Sequence, residues 1–264
     1  MRKRIRGGRG LGDAIYLQSC VRHLVRKGVD LEVCTDFPEL FDFPVSFDQF
    51  SRHNIDYLCH YTKGKQSHHT NQWQDICESA GIGEAELKLD WKPRNIGLAN
   101  EVIEKSGGKR VLFVHGGRTP MNRKDNFGNE LLPDKKVFAE VLEKLKNHFF
   151  TVYCGRGERI FNPNVDLDLN NRTDVSSLVD VASISSAFFG QCSFIIPLAE
   201  SFNKPLLVLW SSLGLNSSER YISTITPRKI LSKPSSKYIV DTWGKDELNN
   251  TVELNNTVNE LCGL

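Results

Sequence analysis

The stretch GGRGLGDAIYLQSCVRHL, residues 7–24, sets four glycines in six positions ahead of an aspartate. A run with Ala14, Leu17, Val21, Leu24 and Val25 on one helical face follows. A short, highly charged strand, RKRIRGG (2–8), precedes the turn, and a β-rich run, DLEVCTDF (30–37), comes after the helix. Strand, turn, helix, strand is the unit of a parallel sheet with a crossover helix. The turn does not fit the dinucleotide pattern: after Gly8 and Gly10 a third glycine is due at position 13, where Asp13 stands. Glycines permit a sharp turn and the close approach of another group. An aspartate at a helix start accepts free N–H groups and meets the positive end of the helix dipole. Capping alone accounts for Asp13, and a catalytic carboxylate would stand in the same place.

Outward from this stretch the alternation continues. IDYLCHY (55–61) reads as a strand and NQWQDICESAGI (71–82) as a helix ending at Gly81. The segment between about 83 and 100, with ELKLDWKPRNIG, reads as a linker carrying a short strand. After a helix at 98–106 the apolar strand VLFV (111–114) restarts the pattern. A polar loop (115–132) and a helix at 133–147 follow, with Pro133 in the helix's first turn. FFTVYCG (149–155), VDLDL (165–169), SSAFFGQ (185–191), PLLVLWS (205–211) and KYIVDTW (237–243) read as strands. Helices are expected at 175–184, capped by Asp174, at 192–203, and in the polar C-terminal segment. Runs such as VLFV and LLVLW are apolar on both faces, as central strands of a covered parallel sheet must be. The expectation is an α/β chain of two domains, 1–96 and 97–240, with a final helix in 241–264 packing back on the first.

With 264 residues, 39% hydrophobic and 25% charged, the chain has material for real cores. No apolar run approaches the roughly 18 residues of a membrane-spanning helix. The basic start MRKRIRGGRG leads into glycine and charge instead of the apolar core of a signal peptide, so the expected location is cytoplasmic. Seven cysteines at wide intervals, without a CxxC pair, suit reduced buried thiols better than a disulfide framework or a zinc site. The net charge of +2 is close to neutral, but Arg2, Lys3, Arg4, Arg6 and Arg9 crowd the first nine residues. That cluster reads either as a phosphate-facing patch or as a solvated terminus.

GLGDAIYLQSCVRHL resembles the opening of the heptosyltransferase-like glycosyltransferases (glycosyltransferase family 9), with their strand, GxGD turn and helix. VLFVHGGRTP with LLPDKKVFAEVLEKL, FFTVYCGRGE, and DVSSLVDVASISSAFFGQCSFIIPLAESFNKPLLVLWSS resemble successive parts of that family's second domain, in the same order. The resemblance covers residues 5–27 and most of 107–212, while 38–96 does not match. It implies a GT-B fold: two Rossmann-like domains facing a cleft, acceptor on the first and nucleotide-sugar on the second. It makes Asp13 the base that deprotonates the acceptor hydroxyl for inverting displacement, without a metal or other cofactor. The implied donor site takes in Gly12, His115, Gly116, Arg118, Arg123, Lys124, Gly155, Arg156, Cys192, Ser193, Phe194 and Glu200. In it the basic loop and the N–H groups of Ser193 and Phe194 meet the diphosphate, and Glu200 holds a ribose. Where the family carries an acidic residue, a glycine and a histidine, this chain reads Gln191-Cys192-Ser193-Phe194-Ile195-Ile196-Pro197.

The compact size and basic N-terminus are similar to phage glycosyltransferases that modify hydroxymethylated pyrimidines in DNA. In that reading Arg4, Arg6 and Arg9 neutralise phosphates of a double-stranded DNA acceptor beside Asp13, in the host cytoplasm. The protein is expected to be a monomer. Other readings are a heptosyltransferase-like enzyme of cell-surface lipopolysaccharide and a non-catalytic nucleotide-sugar-binding module. The triplet Asp166-Leu167-Asp168 matches a metal-binding DxD, although Asn-rich turns flank it. A nucleophilic Cys192 or Cys154 with His115, and a metal cluster of His60, His68 and His69, complete the alternatives.

Overall fold

The computed structural model describes residues 2–48, 54–60, 72–116, 135–157, 163–191, 193–211, 236–241 and 247–263. The first sheet comprises β1 (Lys3–Arg6), β2 (Leu31–Cys34), β3 (Ser46–Phe47) and β4 (Tyr57–Leu58). Its order is β3-β2-β1-β4 and every pairing is parallel. The central strand β1 is KRIR, of which Ile5 alone is fully buried. Its charges are answered by acids at the starts of its neighbours and on β2. Arg2 Nε lies 3.1 Å from Asp30, Lys3 Nζ 2.7 Å from Asp56 and Arg4 Nε 2.8 Å from Glu32. The Lys3 ammonium and the Arg4 N–H hold Asp56 below the usual carboxylate range, and Asp56 in turn raises Lys3. A strand this polar sits in the middle of a sheet because its neighbours carry the opposite charge.

The second sheet comprises β5 (Val111–His115), β6 (Phe150–Tyr153), β7 (Leu167–Asp168), β8 (Ala187–Gln191), β9 (Leu206–Ser211) and β10 (Ser236–Asp241). It is parallel throughout, in the order β10-β9-β8-β5-β6-β7. Read from the β7 edge and renumbered within this half, that is the doubly wound order 3-2-1-4-5-6. The period-2 alternation of β5 feeds both layers. Leu112 and Val114 join the cluster built by Phe138, Val141 and Leu145 of α4 (Lys135–Lys146). Val111 and Phe113 join the opposite cluster with Leu178 and Val179 of α5 (Val175–Ile184) and Leu198 of α6 (Ile195–Ser201). This second cluster continues without a break into Leu17, Cys20 and Val21 of α1 (Leu11–Arg26) and Ile76 of α2 (Gln72–Ser79), so both halves share it.

Asp174 caps α5 as expected, accepting the Ser177 N–H at 2.7 Å. Two expectations need correction. The linker forms no strand among the described residues: most of its backbone bonds go to side chains, and the Leu89 N–H donates to Ser201 O on α6 at 3.4 Å. Ser19 Oγ donates to Lys88 O at 2.9 Å, Gln18 Nε2 to Asp90 O at 3.3 Å and Arg22 to Glu86 O at 2.7 Å. Farther along, the buried carboxylate of Asp180 on α5 accepts the Trp91 indole N–H at 2.6 Å, and the Arg94 and Asn95 N–H groups at 3.1 and 2.6 Å. These bonds fix the entry to α3 (Ile96–Ser106), which packs on α5. Among the described residues, the final helix, α7 (Glu247–Cys262), makes its main contacts with α4 and β9 of the second sheet. Val258, Leu261 and Cys262 complete the apolar layer over Leu112 and Phe138, and Arg110 donates to Cys262 O at 2.9 Å. Hydrophobic burial decides where the helix goes.

Candidate active site

In open parallel sheets, ligands bind beyond the carboxyl ends of the strands, where the strand order reverses. That point lies between β1 and β4 in the first sheet and between β5 and β8 in the second. The glycine turn leaves β1 at the first point, and His115 and Gln191 end their strands at the second. The two points meet. A Cβ placed on Gly12 would lie 3.3 Å from the Cα of Phe194 and 3.3 Å from Cγ of Pro197. A side chain here would press on both Phe194 and Pro197, so the glycine eases the close approach of the start of α1 to the start of α6.

Asp13 stands beside this contact, half-buried. It is the third residue of α1 and not the cap itself; Gly10 takes the cap position, and the Ala14 N–H donates to its carbonyl at 3.0 Å. The Asp13 carboxylate reaches back so that Oδ2 accepts the Gly10 N–H at 3.1 Å. Gly8 makes room for that arrangement, since a Cβ there would fall 2.2 Å from Asp13 Oδ2. One N–H occupies one of about four lone-pair positions of a carboxylate, so this bond leaves acceptor capacity on the group.

On the second sheet, His115 is buried, with Nδ1 2.8 Å from Cys154 O, and its ring packs 4.6 Å from that of Phe194 at 58°. Gly116 is buried behind it. Gly190, opposite His115 in the register, is required by contact: a Cβ there would lie 2.4 Å from His115 O. The β6 exit brings Gly155 and the exposed Arg156 to the same end of the sheet. There the Gly157 N–H donates to Asn171 Oδ1 at 2.6 Å, and Asn171 holds a left-handed backbone with φ 60°. Ser193 Oγ donates to Gln191 O at 3.2 Å and takes the Ile195 N–H at 3.4 Å. α6 therefore begins at Ile195, later than expected, with its first turn tied internally. Glu200, expected at a ribose, is fully buried on α6. Arg118, Arg123, Lys124 and Cys192 lie outside the described residues.

Of the basic residues expected at an acceptor, Arg4 is engaged by Glu32, whereas Arg9 is exposed on the glycine turn and Arg6 closes β1 beneath it. The DxD aspartates serve local structure. Asp166 accepts the N–H and hydroxyl of Thr151 at 2.7 and 2.8 Å, and Asp168 accepts the Asn170 N–H at 2.9 Å. Burial pushes the Cys154 thiol far above its ordinary value, which removes it as a nucleophile at neutral pH. His68 and His69 fall outside the described residues.

Two doubly wound halves with their switch points facing one another constitute the GT-B fold. Solved structures bear this out. The chain is similar to an ADP-heptose lipopolysaccharide heptosyltransferase II from E. coli, with 13% identity and a TM-score of 0.58 over 98% of both chains. It is similar to a glycosyl transferase family 9 protein from Veillonella parvula, with 10% identity and a TM-score of 0.58 over 97% of this chain and 88% of that one. The dodecameric iron-containing heptosyltransferase TibC, solved in complex with ADP-D-beta-D-heptose, matches at 13% identity and a TM-score of 0.58, over 99% and 74%. No family model matches the sequence, and no curated protein matches it. Among the described residues, no helix is long and apolar enough to cross a membrane.

One residue of the site escaped sequence reasoning. Gly190 carried a signal, since a glycine inside the apolar strand AFFGQ marks close backbone approach. Phe194 was expected there through its N–H group, and nothing in FGQCSF tells that its ring meets His115 or that its Cα and Cβ lie against Gly12.

Proposed function

We propose that the chain is a metal-independent, inverting glycosyltransferase that moves a sugar from a nucleotide-sugar to an acceptor hydroxyl. The observation that carries this reading is the half-buried Asp13 carboxylate beside the contact of the two switch points. Asp13 takes the proton of the acceptor hydroxyl, whose oxygen forms a bond to the anomeric carbon from the face opposite the leaving group. The bond from that carbon to the diphosphate breaks, and the diphosphate departs with the electron pair. Its charge calls for cations, for which Arg156 is placed at the carboxyl end of the second sheet and Arg118, Arg123 and Lys124 are available in sequence.

The test has two parts. A thermal-shift screen against free nucleotides and nucleotide-sugars should raise the melting point for at least one of them. With that donor, Asp13→Asn should keep the wild-type melting point, because the amide oxygen still accepts the Gly10 N–H, and should lose about 10²-fold or more in transfer. No response to any nucleotide, or full activity in the variant, overturns the reading.

For the acceptor, the exposed Arg9 on the turn supports a polyanion, and a hydroxymethylated pyrimidine in phage DNA supplies the hydroxyl. Binding to hydroxymethylated duplex should exceed binding to plain duplex at two salt concentrations. Equal or absent binding overturns that acceptor.

A further inference from the structure

We infer that the ring of Phe194 is a specificity-determining wall of the transferred sugar's subsite, against which the apolar face of a pyranose stacks. The inference rests on the transferase reading and adds the class of group held at the reacting carbon. Phe194 lies where the two halves touch. Its Cα and Cβ would stand 3.3 and 3.7 Å from a Cβ on Gly12, the residue before Asp13. An acceptor oxygen hydrogen-bonded to Asp13 therefore lies close to Phe194, and so does the anomeric carbon that it attacks. The ring is half-buried, with His115 packed 4.6 Å away and the shared apolar cluster behind it.

The described side chains of this wall suit a sugar face. Around Phe194 the structure sets a glycine, a proline and an imidazole whose Nδ1 is already committed to Cys154 O. None of these brings a fixed positive charge to bear on a diphosphate, whereas the exposed Arg156 stands at the β6 exit. An aromatic face is electron-rich and apolar, and the C–H face of a pyranose is its natural complement. His115, anchored and buried, braces the ring from one side and fixes its plane.

Calorimetric titration of wild type, Phe194→Ala, Phe194→Leu and Phe194→Trp tests this. The probes are ADP, UDP, GDP and dTDP, each free and as its glucose ester. Wild type should bind one sugar ester more tightly than the parent diphosphate. Phe194→Ala should lose about tenfold for that ester, about 1.4 kcal/mol, while its affinity for the free diphosphate stays within about twofold. Phe194→Leu keeps bulk without a π face and should behave as the alanine variant does; Phe194→Trp should restore sugar binding. Equal losses for both ligands, no loss, or rescue by leucine overturns the inference while leaving the transferase reading intact. Wild type binding none of the eight probes counts against the transferase reading and takes the inference with it. Melting curves of all four proteins separate misfolding from lost contacts.

Discussion

The two switch-point turns occupy the same place in their respective sheets and are filled in opposite ways. In the first, glycines clear the space and a carboxylate folds back into it, with Asp13 Oδ2 on the Gly10 N–H. In the second, one glycine lets two strand ends close and an aromatic ring fills what remains, with Phe194 against His115. The difference teaches that a glycine's role depends on what would meet its side chain. At Gly8 that obstacle is the end of a mobile carboxylate; at Gly190 it is a backbone carbonyl held in a ladder.

Alanine at each position breaks the comparison apart. Gly190→Ala should cost about 3 kcal/mol of stability or fail to fold, because neither β5 nor β8 can retreat from the 2.4 Å contact with His115 O. A urea titration measures it, and a loss below about 1 kcal/mol would show that the strand ends are freer than they look. Gly8→Ala should cost only about 1 kcal/mol, since Asp13 can swing aside at the loss of one hydrogen bond. Its transfer rate should nevertheless fall at least about tenfold, because the base leaves its position. If both variants lose stability equally, the two glycines are doing the same thing and the contrast fails.

A smaller effect separates the ionic layers of the two halves. In the first, Asp56 is depressed by Lys3 and the Arg4 N–H. In the second, Arg172 and then Lys105 hold Glu101 down to about 2. A carboxyl whose folded value lies below its unfolded one contributes stability that is complete above the unfolded value and disappears as pH falls through the folded one. For Glu101 that window runs from about 4.5 down to about 2. Glu101→Gln should therefore unfold less steeply with acid over this range than wild type, with little change at pH 7, as its partners Arg172 and Lys105 are exposed to solvent. Equal acid sensitivity in the variant would remove Glu101 from the account.

Much of this was legible in the chain. The alternation of strand and helix, the apolar runs VLFV and LLVLW, the Asp174 cap and the GGRGLGD turn are local patterns, and local physics sets them. The short strands β3, β4 and β7 have only two residues each and leave too little periodicity to bound them. The linker's short strand did not form among the described residues, because its backbone bonds to Ser19 and Asp180, residues 69 and 85 positions away, which no local pattern shows.

Neighbouring residues alone set a carboxylate after a glycine turn at the head of α1, because backbone freedom and capping are local properties. The strands' own residues also determined that the second sheet is covered on both faces, because strands apolar on both sides cannot meet water. Only the tertiary structure decided that α7 covers the second sheet, that Glu200 is sealed in the core, and that Phe194 lies against Gly12. Those outcomes depend on which surfaces remain uncovered once the sheets have formed. Contacts between residues some 180 positions apart are selected by fit and burial, and no local spacing encodes them.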